Sequence, residues 1–289
     1  MRLKAPLGTA AACLIAAAVF SSPLAAQWPA GKGQYWAKLS VFHHRTTEQF
    51  RSNGEKRPFL AGNAKARSTA IFIDVLVGVT DRADLWLQVP YFDLNFDDDV
   101  DKRHSSGIGD VRLSVRYNLF GLRNGSVQVS GRYTVKIPIV DFPIDAEVIP
   151  VGEGQWDHEA WLEMGASFWP IPAYGVLWVG RRWRQMNTET TRDPGDEVTL
   201  LAELGGTLAG GPFGGKIVLD AIFGSTGSVQ GVRVSSDERE IMYLQPTINY
   251  QITPSFLLEG AVRVPLSGRN FPAGPQFMIA VFHRPAAAG

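Results

Sequence analysis

Residues Gly107 to Val140 read GIGDVRLSVRYNLFGLRNGSVQVSGRYTVKIPIV. From Asp110 onward polar and apolar residues alternate: Arg112, Ser114, Arg116 and Asn118 are interleaved with Val111, Leu113, Val115, Tyr117 and Leu119. A period of two places successive side chains on opposite faces of a β-strand. Phe120 to Gly125, with Asn-Gly turn chemistry, interrupts the run. The alternation then resumes, with Gln128, Ser130, Arg132, Thr134 and Lys136 set against Val127, Val129, Tyr133, Val135 and Ile137. The stretch predicts a hairpin with one apolar face and one polar, basic face. Each arm is longer than the about five or six residues usual for a soluble strand. Long two-faced strands suit a sheet that meets lipid on one side and water on the other.

Toward the N-terminus, Arg2 and Lys4, the apolar run Leu7 to Phe20 and the small residues Ser21 to Ala26 have the order of an export signal. Residues 1–26 are therefore expected to be a signal peptide, and 27–289 the mature barrel. The one cysteine, Cys13, falls inside the signal, and a mature chain without cysteine fits an oxidising compartment. Removing Arg2 and Lys4 from the 28 basic residues leaves 26 against 28 acidic ones. A near-neutral chain gives no reason to expect a nucleic-acid partner. No apolar run beyond the signal reaches the roughly twenty residues of a membrane helix; Thr69 to Val79 comes nearest and carries Asp74. If this chain spans a membrane, it does so as a barrel.

About twelve segments between Gln34 and Arg284 have strand character, near 34–45, 67–79, 83–95, 107–120, 126–139, 154–169, 173–186, 196–209, 214–227, 238–252, 255–266 and 274–284. Thr80-Asp81-Arg82, Gly121 to Gly125, Pro170-Ile171-Pro172, Gly210 to Phe213 and Thr253-Pro254 read as short turns. The links near 46–66, 96–106, 140–153, 187–195, 228–237 and 267–273 are longer and mostly polar. Short and long links thus alternate, with both chain ends on the short-turn side, which is the layout of an all-β, antiparallel up-and-down transmembrane barrel with periplasmic termini. Aromatics beside the short turns, Tyr117, Phe120, Phe168, Trp169, Tyr174, Tyr250 and Phe256, are expected to form the periplasmic girdle. Only Gln27 to Gly33 precede the first strand, too little for a plug domain.

The alternation extends along the chain. Asp84, Trp86 and Gln88 alternate with Leu85, Leu87 and Val89; Asp157, Glu159 and Glu163 with Ala160, Leu162 and Met164; Glu197, Thr199 and Glu203 with Val198, Leu200 and Leu204. Lys216 and Asp220 alternate with Ile217, Leu219 and Phe223. Because Arg or Lys on the lipid face at the midplane costs about 2–4 kcal/mol, these polar residues are assigned to a wet, charged interior. The segment 173–186 is the weakest, since Val176 to Val179 is apolar on both faces.

Gly78-Val-Thr-Asp-Arg-Ala-Asp-Leu-Trp-Leu-Gln-Val-Pro90, Gly107-Ile-Gly-Asp-Val-Arg-Leu-Ser-Val-Arg-Tyr117, Tyr250-Gln-Ile-Thr-Pro-Ser255, Val264-Pro-Leu-Ser-Gly-Arg-Asn270 and Gly274-Pro-Gln276 resemble the outer-membrane family known as "MetA-pathway of phenol degradation". The similarity covers most of the mature chain and lies in turns and strand ends. It implies an outer-membrane barrel and, loosely, passive uptake of hydrophobic or aromatic compounds.

Arg112, Arg116, Arg132 and Lys136 would form a basic wall, and Asp157, Glu159, Glu163, Glu197 and Glu203 an acidic one. Either the two walls set up a field across a solvent path that selects solutes by charge, or they neutralise each other in a closed interior. Trp86 and Trp161 would line an aromatic ligand path if they point inward. The acidic run Asp97-Asp98-Asp99-Val100-Asp101 matches no Ca²⁺-loop spacing and reads as a solvated loop. His43 and His44, adjacent in a strand, face opposite sides and suit no shared metal. No metal and no cofactor are expected.

Three functions compete. The first is a passive pore for small, aromatic or otherwise hydrophobic solutes, surrounded by outer-membrane lipid. The second is a scaffold barrel that embraces a periplasmic protein partner. The third, a lipid hydrolase, needs a Ser activated by His; His158, on the lipid face by alternation, is its candidate, and no Ser stands in a recognisable nucleophile setting. The expectation is a non-enzyme.

Overall fold

A computed structural model describes residues 28–60, 62–140, 150–208, 211–235 and 238–285; the expected signal peptide lies outside the described residues. Twelve long antiparallel strands form the barrel. They are β1 (Tyr35–Thr46), β2 (Lys65–Gly78), β3 (Ala83–Asp97), β4 (Val111–Leu122), β5 (Val127–Ile137), β6 (Asp157–Ser167), β7 (Ala173–Arg184), β8 (Glu197–Thr207), β9 (Phe213–Gly224), β10 (Glu240–Thr253), β11 (Phe256–Arg269) and β12 (Gln276–His283). Each pairs with its neighbours in sequence, and β1 pairs with β12 from Ala37↔His283 to His44↔Gln276, which closes the ring.

Every segment expected as a strand is one, because the period of two and the connecting turns leave little freedom. The opening hairpin is β4–β5, in register from Val111↔Ile137 through Arg116↔Arg132, with an irregularity near Asn118. Its turn uses positive φ at Arg123, Asn124 and Gly125, of 50°, 55° and 85°, a conformation that Asn and Gly tolerate best. The link expected over 96–106 is mostly strand instead. β3 continues to Asp97 and pairs there with Lys102–Ile108, so the hairpin rises above the rim. At the same end Glu48–Phe50 pairs with Lys56–Pro58 and Phe271–Pro272, and Arg192–Asp193 pairs with Gly227–Val229, which in turn pairs with Val232–Val234.

The barrel is polar inside and apolar outside. Leu39, Ile73, Leu87, Val115, Tyr133, Leu162, Val179, Ile217, Ile248 and Ile279 are exposed on the outer face, whereas Asp84, Arg116, Lys136, Asp157, Glu159 and Glu163 are buried. The expected girdle forms on the outside at the short-turn end through Tyr117, Phe120, Phe168, Trp169, Tyr250 and Phe256, all exposed. Tyr174 does not belong to it. Its ring is buried in the lumen and its hydroxyl donates to Glu203 Oε1 at 2.5 Å.

Candidate functional site

The segment before β1 occupies part of the periplasmic mouth. Trp28 Nε1 donates to the Gly125 carbonyl at 3.2 Å, and the Ala30 amide donates to Asp84 Oδ1 at 3.1 Å. Arg116 ties this strap to the wall, donating to the Trp28 carbonyl at 3.2 Å and to Asp84 Oδ2 at 2.6 Å. Through these bonds the segment packs against the inner wall.

Above it, one side of the lumen is filled by ion pairs. Arg112 meets Glu159 at 2.9 Å, Arg132 meets Glu163 at 2.5 Å and Lys136 meets Asp157 at 3.1 Å. The basic residues of β4 and β5 and the acidic residues of β6 stand on contiguous strands, so they pair directly instead of facing one another across open water. Arg182 of β7 joins the group, donating to Asp157 at 2.8 Å and to Glu197 at 3.0 Å. Glu203 lies apart, 3.6 Å from Lys216. The Arg132 guanidinium also lies over three indoles, 4.5 Å from the Trp161 centroid and 5.1 Å from those of Trp86 and Trp178. Cation–π attraction is strongest in such desolvated settings. Gly180 permits this packing, since a Cβ there would overlap the Trp161 ring.

Glu153, from the long link before β6, is the hub at the extracellular end. It lies 2.7 Å from Lys136, 2.8 Å from Arg182, 2.6 Å from Arg184 and 3.1 Å from Arg239. Its backbone N–H donates to Asp110 Oδ2 at 2.9 Å. Burial among these side chains works against its charge, but Arg182, Arg184, Arg239 and Lys136 outweigh it and hold the carboxyl well below the usual carboxylate range. Across the mouth, Phe50 packs into the lumen against Ile241, Tyr243 and Ala273. Loops on both sides therefore fold down onto the inner wall.

The other side of the lumen holds a cavity of about 340 Å³. Aromatic rings from β1, β2, β3, β7 and β12 line it: Trp36, Phe42, Phe72, Trp86, Trp178 and Phe282. Trp36 meets Trp86 edge-on at 5.4 Å, and Phe42 meets Phe72 edge-on at 5.5 Å. Val176 and Trp178 face this cavity, which explains why β7 reads as apolar on both faces. The polar groups of the lining are Lys38, Ser40, Asp74, Gln88, Glu203, Lys216 and Glu259, with Tyr174 beside them. Glu259 bridges Lys38 at 2.7 Å and Lys216 at 3.0 Å.

Of the residues singled out from sequence, Arg112, Arg116, Arg132, Lys136, Asp157, Glu159, Glu163, Glu197 and Glu203 all lie on the inner face, and Trp86 and Glu203 line the cavity. The sequence reading missed Trp36, Phe42, Phe72, Trp178 and Phe282. They occupy the inward phase of their strands, a signal available from the alternation alone. It also missed Glu153 and Arg239, for which no periodicity speaks. His43 points outward, bonded to Thr69, and His44 inward. His158 lies on the outer face, its Nδ1 2.7 Å from the Tyr133 hydroxyl and its Nε2 3.3 Å from Gln185. Asp98 caps the Val100 and Asp101 amides, and these hydrogen bonds hold its carboxyl below the usual range.

A closed ring of twelve antiparallel strands with an apolar band outside and charge inside defines an outer-membrane β-barrel. The family described as "Putative MetA-pathway of phenol degradation" matches residues 60–281, and the chain belongs to that family. Among solved structures the chain resembles an outer-membrane channel from Pseudomonas putida F1, at 16% identity and a TM-score of 0.76, over 92% of this chain and 100% of that one. It also resembles the β domain of the Bordetella autotransporter BrkA, at 12% identity and a TM-score of 0.52, over 88% of this chain and 99% of that one. The NanC porin follows at 8% identity and a TM-score of 0.51, over 85% and 98% of the two chains. At these identities the likeness is one of fold. None of the curated proteins compared matches the chain.

Proposed function

We propose that this protein is a passive outer-membrane channel for small aromatic or otherwise hydrophobic solutes. The observation that carries the reading is the aromatic-walled cavity of about 340 Å³ held open inside a barrel whose charges are otherwise paired. Such a volume is in the range of small-molecule sites, about 300–1,000 Å³. In this reading Trp86 contacts the solute, and Glu203 helps to set the cavity's polarity. The pairs made by Arg112, Arg116, Arg132, Lys136, Asp157, Glu159, Glu163 and Glu197 hold the opposite wall and narrow the path. The family's association with phenol degradation and the channel of like fold from Pseudomonas putida F1 support it. Residues 1–26 would direct export, and lipid would cover the apolar outer band.

Liposomes carrying the purified protein test the proposal by osmotic swelling in solutes that do not cross lipid unaided. Phenylalanine is expected to enter faster than a sugar of similar size. Absence of protein-dependent flux for every solute class would remove the channel reading.

A further inference from the structure

The cavity contains one carboxylate that the rest of the interior does not neutralise. Asp74, on β2, is 6% exposed and lines the aromatic cavity. Trp86 Nε1 donates to its Oδ1 at 3.1 Å and Gln88 Nε2 to the same oxygen at 2.8 Å. Among the described residues no donor reaches Oδ2, which is open to the cavity, and no basic group stands within ion-pair distance. The nearby cations are turned elsewhere. Lys38 is opposite Asp74 in the β1–β2 register, but its ammonium goes to Glu259 at 2.7 Å. Arg112, opposite Gln88, goes to Glu159 at 2.9 Å. Every other inward carboxylate described on the barrel strands, from Asp84 to Glu259, has a Lys or Arg partner. The cavity lining therefore carries Lys38 and Lys216 against Asp74, Glu203 and Glu259.

An acceptor oxygen without a donor, beside aromatic faces and on the acidic side of an otherwise balanced lumen, suits a ligand that is at once cationic and aromatic. An ammonium can supply the missing charge-assisted hydrogen bond, while its substituents and its charge lie against Trp36, Trp86 and Phe72. A neutral phenol supplies a donor without the charge, and a carboxylate supplies neither. We propose that the cavity is a binding subsite for arylalkylamines in their protonated form, with Asp74 as the specificity-determining residue. This inference rests on the channel reading and names the solute class that the cavity prefers.

The test is calorimetric titration of the detergent-solubilised barrel with three probes of one shape: 2-phenylethylammonium, 2-phenylethanol and phenylacetate. The ammonium is expected to bind about tenfold more tightly than the alcohol, the size of gain that a desolvated cation–π contact with an ionic hydrogen bond allows. Phenylacetate should bind more weakly than both. Asp74→Asn should shrink the gap between the ammonium and the alcohol severalfold, leaving only the share due to the aromatic faces. Gln88→Leu, which removes a donor from Oδ1, should widen the gap and serves as the decisive variant if Asp74→Asn does not fold. Equal binding of ammonium and alcohol by the native protein, or a gap undiminished by Asp74→Asn or unchanged by Gln88→Leu, overturns the proposal. Binding of the alcohol alone would do so while leaving the aromatic channel intact; loss of flux for all solutes would instead strike the channel reading itself.

Discussion

Arg132 donates to Glu163 at 2.5 Å from a neighbouring strand, with the Trp161 ring 4.5 Å from the guanidinium carbon. The carboxylate side chain is wholly buried and the guanidinium nearly so, at 0% and 8% exposure. Removing one partner leaves the other charged in a dry setting.

Glu163→Ala is accordingly expected to destabilise the barrel by about 3–5 kcal/mol, the usual cost of orphaning a buried charge. The double replacement Arg132→Met, Glu163→Leu should cost less than Glu163→Ala alone. Equilibrium denaturant unfolding of the refolded barrel in vesicles measures both, and a double variant weaker than the single one would contradict the account.

Glu153 is bound by four cations and ties its loop to the mouth. Its carboxyl titrates well below its ordinary value of 4.5, so the tie is at full strength above 4.5 and is lost only as pH falls on through that depressed value. Conductance in planar bilayers should therefore hold steady through pH 4.5 and rise only on acidification well below it, and Glu153→Gln should show the raised level at neutral pH. A Glu153→Gln channel indistinguishable from the native one at neutral pH would exclude the latch.

Leu162 points to lipid from the middle of β6, with 56% of its surface exposed. Leu162→Arg is expected to cost about 2–4 kcal/mol in bilayers, whereas Leu162→Ala should cost much less. Unfolding in vesicles of defined lipid gives the comparison; equal stabilities would place Leu162 away from the hydrocarbon.

The barrel was legible in the sequence because lipid and water impose opposite demands on alternate residues. A strand such as β4, with Arg112, Ser114 and Arg116 on one face, admits one orientation only. The interior was less legible for a physical reason. Alternation says that a side chain points inward but not what stands opposite, and the partners of Lys38 and Arg182 come from strands or loops far along the chain. Where the lumen is itself apolar, at Val176 and Trp178, the two faces look alike and the signal fades. Tyr174 shows the complementary difficulty: beside a turn it reads as an interface aromatic, whereas Glu203 gives its hydroxyl a partner inside.

Lys38 and Glu259 belong to β1 and β11, 221 residues apart, and Glu259 also holds Lys216 of β9. Lys38 gains this partner only when the last strands have closed the ring. A sheet halted before β11 would carry the Lys38 ammonium at its leading edge without this carboxylate. The neutralisation of Lys38 is thereby coupled to circular closure of the barrel.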